Sequence, residues 1–416
     1  MEYLELMKIR GIPLRVHPSW FFIVLLLTWS SQAQISKLFE TQIPVLLCWS
    51  LGFLSSLLVF GSVLLHELGH SFMAIHEGVK ISSISLFLLG GVAITQKECD
   101  TPMASLRIAI AGPLVSLFLS FFFLGVLQFF SNEGSIISIL STQLASINLL
   151  LTFFNLLPGL PLDGGLIIKS IVWYCTGNKR KGLKVANASG KWLSLFALFL
   201  GSLISFKGGG LFGLWLIVIG WFGFSFSRSQ NQIFVFEDIL CELTVNEASS
   251  RGFRVLEIDK PLRSLSELPL NQIGGKQTPE WVLLCSSGRW VGYISEKILK
   301  EVPVQFWDDY CLKEYCKPLS DLPSIGDREP LWKAILNLES IDQDQLLVFN
   351  LAGLPSGTID RADIGKVVLS RIGIKLPKAF FDSARKKRVY PLGISLVKLV
   401  EGMISSGLIS ESDQKK

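Results

Sequence analysis

Inside an apolar run from 44 to 76, the chain reads Leu64-Leu65-His66-Glu67-Leu68-Gly69-His70. On a helix, two histidines four residues apart lie on one face, one turn apart, where both imidazoles can bind one metal ion. Glu67 stands beside the first histidine and can take a proton from an attacking water, which a catalytic zinc ion acidifies. Ionisable side chains in an apolar span are costly and usually functional. The pattern therefore predicts a catalytic metal centre with Glu67 as general base, in preference to a chance match or a buried His–Glu pair.

A catalytic zinc ion also needs a third protein ligand and one open position. The best candidate in the apolar segments is Asp163, within a stretch that holds two prolines and several glycines, Asn155-Leu-Leu-Pro158-Gly-Leu-Pro161-Leu-Asp163-Gly164-Gly165. Such residues break a helix and can aim a carboxylate into the bundle. A helix cap is the alternative role for Asp163, but an acid at membrane depth needs a partner. Asn155 would either donate a hydrogen bond to a developing oxyanion or to substrate backbone, or satisfy the broken helix.

Hydropathy divides the 416-residue chain in two. Hydrophobic residues make up 50% and charged residues 18% of the chain, and the mean hydropathy is +0.47. This is too apolar for an ordinary soluble protein. Apolar segments run roughly over 17–34, 44–76, 104–130, 143–174, 186–206 and 210–227. They predict a polytopic α-helical membrane protein with about six transmembrane helices, the first retained as a span rather than cleaved as a signal peptide.

Basic residues alternate along the loops between these segments. The loop near 131–142 has no Lys or Arg, whereas basic residues stand before the first, after the second and after the fourth segment, at Lys8, Arg10, Arg15, Lys80, Lys97, Arg107, Lys179, Arg180, Lys181 and Lys184. Because basic loops stay on the cytoplasmic side, both termini are predicted to be cytoplasmic. The net charge of +5 is mild, and nothing indicates a nucleic-acid partner. The seven scattered cysteines include no C-x-x-C pair, which argues against a thiolate zinc site and favours reduced thiols.

Two further regions contain strand-like sequence. Alternating strand formers around Gly90-Gly91, in 81–95, predict a β-hairpin, which at membrane depth must be covered by protein or line a cavity. After about residue 228 the charges recur regularly. Strand-like runs at 254–258, 281–285, 290–294 and 346–349 alternate there with helical patterns. This part is predicted to be a small α/β module in two copies.

The combined motifs over about 9–227 resemble the site-2 protease family of intramembrane zinc metalloproteases. The family's His-Glu-x-x-His motif matches His66, Glu67 and His70, and its Asn-x-x-Pro-x-x-Pro-Leu-Asp-Gly motif matches 155–164. Gly90-Gly91-Val92 and the run 109–113 also resemble family signatures. The resemblance implies one Zn²⁺ held by His66, His70 and Asp163, a site in the bilayer nearer the cytosol, and a single-pass membrane protein as substrate. Arg107 departs from the family, whose members often carry an acidic residue there.

The C-terminal part resembles a pair of cystathionine-β-synthase (CBS) domains. The matching runs are Phe253-Arg-Val-Leu, Pro261-Leu262, Val291-Gly292-Tyr-Ile-Ser295, Pro330-Leu331 and Gly357-Thr-Ile-Asp-Arg-Ala-Asp363-Ile364. The resemblance implies an adenine nucleotide, with Asp363 holding its ribose in the second copy. The first copy has Glu296-Lys297 at that place. A nucleotide-free docking module is an equal alternative, and the pair would also allow a homodimer.

The sequence thus predicts a transmembrane metalloprotease domain at 1–228, a cytosolic CBS-like regulatory pair at 229–378 and a C-terminal tail at 379–416. The expected activity is hydrolysis of peptide bonds in or near transmembrane segments. A non-catalytic membrane binding protein is the rival hypothesis, but it does not require the intact set of Glu67 and Asp163. A zinc carrier is a third hypothesis, which a single compact site disfavours.

Overall fold

The computed structural model describes residues 4–9, 11–39, 44–87, 90–95, 99–129, 136–208, 210–250, 252–267, 281–340, 344–393 and 395–409. The chain forms two compact units. The first comprises Met1–Asn231 with Ser405–Leu408, and the second comprises Gln232–Ile404 with Ile409–Lys416.

Every predicted apolar segment contains helix. The helices of this part of the chain are α1 (Ser19–Phe39), α2 (Val45–His76), α3 (Pro102–Phe129), α4 (Ile136–Asn155), α5 (Asp163–Thr176), α6 (Lys179–Phe206) and α7 (Gly210–Glu242). Among the described residues, five helices are long and apolar enough to cross a membrane, namely α2, α3, α4, α6 and α7. The first predicted span, α1, is not among these five. Large side chains such as Phe118 and Trp215 are 68% and 64% exposed on the helices, as expected of an integral membrane protein whose outer surface meets lipid.

The fourth predicted segment is interrupted where its prolines lie. Helix α4 ends at Asn155 and α5 begins at Asp163, and the peptide bond between Leu160 and Pro161 is cis. The connecting loop, 156–162, lies against α6, where the Leu160 amide donates to the Ala186 carbonyl over 3.3 Å. Gly190 permits this approach, since a Cβ there would overlap the Leu160 carbonyl oxygen. The break therefore starts a new helix at the predicted metal ligand.

A four-stranded sheet accompanies the helices of the first unit. Its strands are β1 (Leu4–Ile9), β2 (Ile12–Val16), β3 (Ile81–Phe87) and β4 (Gly90–Thr95), in the order β1-β2-β3-β4. Strands β3 and β4 pair antiparallel, so the predicted hairpin is confirmed. Strand β2 runs parallel to β3, and the buried side chains of Leu14, Val16 and Ile84 pack against Leu68 of α2. The sheet thus contacts the helix that carries both histidines.

The second unit contains two α/β modules with one topology. In each, the first strand pairs parallel with the second, and the second pairs antiparallel with the third. Helix α8 (Val245–Ala248) precedes the first module and bonds through its Val245 and Asn246 amides to the carbonyls of Glu329 and Asp327 in the second. The first module contains β5 (Val255–Glu257), α9 (Arg263–Ser266), β6 (Trp281–Ser286), β7 (Arg289–Ser295) and α10 (Ile298–Glu301). The second contains β8 (Ser324–Gly326), α11 (Leu331–Ser340), β9 (Gln345–Phe349), β10 (Pro355–Asp360) and α12 (Arg361–Ile372). This repetition matches the predicted α/β pair.

Two helices follow the second module, α13 (Lys378–Lys386) and α14 (Leu396–Ser405). They lie in the stretch that the sequence assigns to a tail. Helix α13 is strongly amphipathic and buries Phe381 and Ala384. Its Arg385 forms ion pairs with Asp360 and Asp363 at the start of α12. Apolar burial and these ion pairs hold α13 against the second module.

Candidate metal centre

Three predicted ligands meet at one point. His66 Nε2 lies 3.2 Å from Asp163 Oδ2 and 3.2 Å from His70 Nε2. The third edge, from His70 Nε2 to Asp163 Oδ2, is 3.3 Å. Helix α2 presents the two histidines one turn apart, and the first residue of α5 presents the carboxylate. Three donor atoms thus form a nearly equilateral triangle between two helices that are far apart in sequence.

The triangle fits a tetrahedral zinc ion. For ligands at about 2.0–2.1 Å, the edge of a tetrahedron is about 3.3–3.4 Å long, close to the observed edges. Two imidazole nitrogens and a carboxylate oxygen are also donors that zinc accepts in catalytic sites. Within the described part of the chain, His66, His70 and Asp163 form a group whose donor atoms are close enough together to hold one metal ion. The residues present therefore fit the ion that the sequence predicts.

Helix α3 contacts Nδ1 of both imidazoles, the ring nitrogen that faces away from the centre. His70 Nδ1 donates to the Ile108 carbonyl oxygen over 2.7 Å, which places the proton on Nδ1 and the lone pair of Nε2 at the centre. His66 Nδ1 lies 2.9 Å from the hydroxyl of Ser116, a side chain with no exposed surface. Such partners orient metal-binding imidazoles and select their tautomer. Gly112 lies between these two contacts, and a Cβ there would overlap the His70 ring.

Glu67 and Asn155 border the same centre. Glu67 lines a cavity of about 400 Å³ together with His70 and Asp163. The Asn155 amide nitrogen, at the last residue of α4, lies 3.3 Å from His66 Nε2. The cavity is also lined by Ile81 and Gly91 of the hairpin and by Lys169 and Trp173 of α5. A carboxylate, an amide donor and an accessible space therefore lie around the three predicted ligands.

Comparisons with known proteins show similarity over much of the chain. The family model described as Peptidase family M50 matches residues 54–143 and 132–200. A Synechocystis protein, sll0528, described as a candidate zinc metalloprotease, is 32% identical over 360 residues, which cover 86% of this chain and 93% of the relative. The chain belongs to peptidase family M50.

Two solved structures are also similar to parts of this M50 chain. A site-2 protease from Methanocaldococcus jannaschii is 34% identical, with a TM-score of 0.37, and the match covers 55% of this chain and 94% of that one. The CBS domain of a bacterial CNNM/CorC family Mg²⁺ transporter in complex with ATP is 14% identical, with a TM-score of 0.28, over 35% of this chain and 99% of that one.

Arg107, the residue that departs from the family pattern, has a partner. Its guanidinium lies 2.8 Å from the Glu77 carboxylate, at the end of α2. The ion pair joins α3 to the helix that carries the histidines, and the metal triangle is intact beside it. Sequence reasoning gave no role to Ser116 or Lys169. No local pattern identifies Ser116, because its contact with His66 depends on how α3 packs against α2.

Asp363 of this M50 chain is engaged within the second unit. One carboxylate oxygen pairs with Arg385 at 2.9 Å, and the other accepts from the Ser250 hydroxyl at 3.1 Å. Burial lowers the pKa of Arg385, but its hydrogen bonds to Asp360 and the nearby carboxylates outweigh this and raise the pKa above its ordinary value. The guanidinium is therefore a permanent positive partner for the carboxylate that the resemblance assigns to a ribose.

Proposed function

We propose that this M50 protein is a zinc endopeptidase that cleaves peptide bonds in or near membrane-spanning segments of other proteins. One observation carries the proposal. The donor atoms of His66, His70 and Asp163 lie 3.2–3.3 Å apart beside Glu67, within a bundle whose helices are long enough to span a bilayer. The curated relative described as a candidate zinc metalloprotease supports the choice of metal.

Each side chain has a separate role in amide hydrolysis. The zinc ion, held by the two histidines and Asp163, would supply Lewis acidity that lowers the pKa of water and polarises a carbonyl. Glu67 accepts the proton of the attacking water and then delivers it to the leaving amine. Asn155, at the metal-facing end of α4, donates its amide N–H to the oxygen that becomes negative as the water attacks. The Ile108 carbonyl keeps the His70 imidazole in the tautomer that binds metal, and the Ser116 hydroxyl orients the His66 ring.

The substrate would reach the centre as an extended chain. An amide inside a helix is shielded by its own hydrogen bonds, so a membrane segment must locally unfold before it is cut. Strand β4 is an edge strand of the four-stranded sheet, and its Gly91 lines the cavity. A β4 edge beside the metal triangle would pair with an unfolded segment by strand addition. The bilayer and a single-pass membrane protein are therefore the proposed partners.

Replacement of Glu67 by Gln tests the activity. The change keeps the size of the side chain and the three metal ligands but removes the base, so zinc content should persist while turnover falls by at least about 100-fold. Membrane-bound protein fragments from cells with the variant and with the wild type would be compared by quantitative mass spectrometry. Truncated single-pass fragments should accumulate in the variant and identify the substrates.

Glu5→Gln is the matched control, because Glu5 is an exposed carboxylate on β1, distant in sequence from the ligands. This control should give the wild-type fragment pattern. If Glu67→Gln is expressed, retains zinc and leaves every fragment unchanged under several stress conditions, the protein is a non-catalytic membrane binding protein. A chelator such as 1,10-phenanthroline should mimic the variant, and added zinc should restore the wild-type pattern.

We further propose that an adenine nucleotide reaches Asp363 only when Arg385 is displaced from it. The ion pair and the Ser250 hydroxyl occupy both oxygens of the carboxylate. Arg385→Ala should therefore raise the affinity of the purified full-length protein for ATP, measured by calorimetry. Arg371→Ala, which removes an exposed arginine near the end of α12, is the control. Equal ATP affinity in both variants and the wild type would show that Arg385 does not block Asp363, and no detectable ATP binding to any of the three would favour a docking module without nucleotide.

A further inference from the structure

The cavity beside the metal triangle continues along one side of α5. Its lining residues on that helix are spaced three or four apart, Asp163, Leu166, Lys169 and Trp173. Helical residues at this spacing share one side. The metal end of the cavity carries the carboxylates of Glu67 and Asp163, and the far end carries a lysine and an aromatic ring. The cavity is therefore polar at two separate places.

Lys169 is a buried cation to which the hydrolysis of the amide gives no role. Only 7% of its surface is exposed, and α5 packs against α3 and α6, two of the helices apolar enough to cross a membrane. An ionisable residue in such a place is costly and is a functional candidate. Lys169 already interacts with another group of the chain, but an ammonium group has three N–H donors. It can therefore also receive a carboxylate that enters the cavity.

Helix geometry sets the separation between the two polar places. Six residues along a helix rise about 9 Å, at about 1.5 Å per residue. An extended peptide advances about 3.3 Å per residue. A substrate strand that places its scissile bond at the metal would therefore bring a side chain about three residues away to the level of Lys169. Lys179, whose ammonium lies 5.3 Å from the centre of the Trp173 ring, adds positive charge at this end.

We propose that Lys169 is a specificity-determining residue that selects substrates with an acidic side chain about three residues from the cleaved bond. The inference rests on the proposed peptidase function. Membrane segments usually carry Lys or Arg at their cytoplasmic flank, and Lys169 repels such side chains. The protein thereby discriminates among membrane segments by attraction of a carboxylate and by repulsion of the common cationic flank.

A charge-reversal experiment tests this selection. The purified full-length protein, reconstituted in vesicles, would be given one membrane-spanning substrate fused at both ends to folded tags, so that carboxylates near the bond come from side chains alone. Asp, Asn or Lys would replace each of four residues on either side of the cleaved bond. At one of these substituted positions, about three residues from the cleaved bond, the substrate with Asp should be cleaved by the wild type at least about tenfold faster than the substrate with Lys.

Loss of the charge at position 169 should abolish this preference, and reversal of the charge should reverse it. Lys169→Gln should cleave the Asp, Asn and Lys substrates at similar rates, and Lys169→Glu should prefer Lys at the same position. Lys181→Glu is the matched control, because it makes the same charge change at an exposed position near the start of α6, outside the cavity lining. It should keep the wild-type preference. Zinc content and thermal stability would be measured for every variant.

Three outcomes would overturn the inference. Equal cleavage of all substrates by the wild type would remove the selection and leave the peptidase function intact. A Lys169→Glu variant that retains zinc and stability but slows every substrate equally would make Lys169 a structural residue. Absence of cleavage by the wild type, to the same degree as by Glu67→Gln, would remove the proposed function and the inference with it.

Discussion

At the scale of single residues, one glycine without a ligand role lies against the candidate metal centre. Gly112 of α3 lies against the His70 ring, and a Cβ there would overlap Nε2, the atom that faces the other ligands. The flanking contacts, from Ile108 to His70 and from Ser116 to His66, come from the same face of α3. Residues 108, 112 and 116 therefore form one wall behind both imidazoles.

Replacement of Gly112 by Ala should displace the His70 ring and disable the centre. A misplacement of a reacting group by about 1 Å can cost about 100-fold in rate, and zinc affinity should fall with it. Gly61→Ala is the control, since α2 has open space at Gly61. Zinc content by mass spectrometry and peptidase activity would be measured for both. Full zinc occupancy and activity in Gly112→Ala would show that α3 does not position His70.

At the scale of elements, the break between α4 and α5 decides where the third ligand lies. An unbroken helix would carry Asp163 more than two turns beyond Asn155. The loop 156–162 instead brings Asp163 to the start of α5, with its carboxylate between the histidines. The loop rests on α6 through Gly190, whose missing side chain makes room for the Leu160 carbonyl. Helix α6 thus contacts the loop that precedes Asp163 and supplies none of the three donor atoms.

Gly190→Ala should push the loop away from α6 and shift Asp163. Because the neighbours of Gly190 are backbone atoms, they cannot yield by a simple side-chain rotation. We expect a loss of activity of at least about tenfold and weaker zinc binding, by analogy with other disturbed metal-site supports. Gly125→Ala in α3, where a Cβ meets nothing, should match the wild type. If both variants behave alike, the loop does not need its contact with α6.

At the scale of the whole molecule, the alternation of basic loops predicts that both termini are cytoplasmic. Lys181, near the start of α6, lies on the predicted cytoplasmic side. Lys37, in the last turn of α1, lies at the end of the first predicted span and therefore on the opposite side. Lys181→Cys and Lys37→Cys, each in a cysteine-free background, separate the two orientations. A membrane-impermeant maleimide should label Lys37→Cys in intact cells and Lys181→Cys in inside-out vesicles. The reverse pattern would invert the topology.

The sequence by itself determined the chemistry of the centre and the class of the fold. The spacing of His66 and His70 is a property of any helix, and the prolines before Asp163 prevent a continuous helix wherever they stand. Hydropathy identified the apolar segments, and alternation identified the hairpin and most strands of the repeated α/β module. Each of these signals acts over a few neighbouring residues, so it can be read without knowledge of the packing.

Only the tertiary structure decided which distant groups meet. Ser116 and Gly112 carry no local signal, yet they face the imidazoles because α3 packs against α2. The strand pair β1–β2, which the sequence analysis did not identify, joins the hairpin through β2 and β3. Arg385 lies in a stretch assigned to the tail, but it reaches Asp363 across 22 residues. Long-range contacts depend on how helices and strands pack in three dimensions. Patterns over a few neighbouring residues do not reveal that packing.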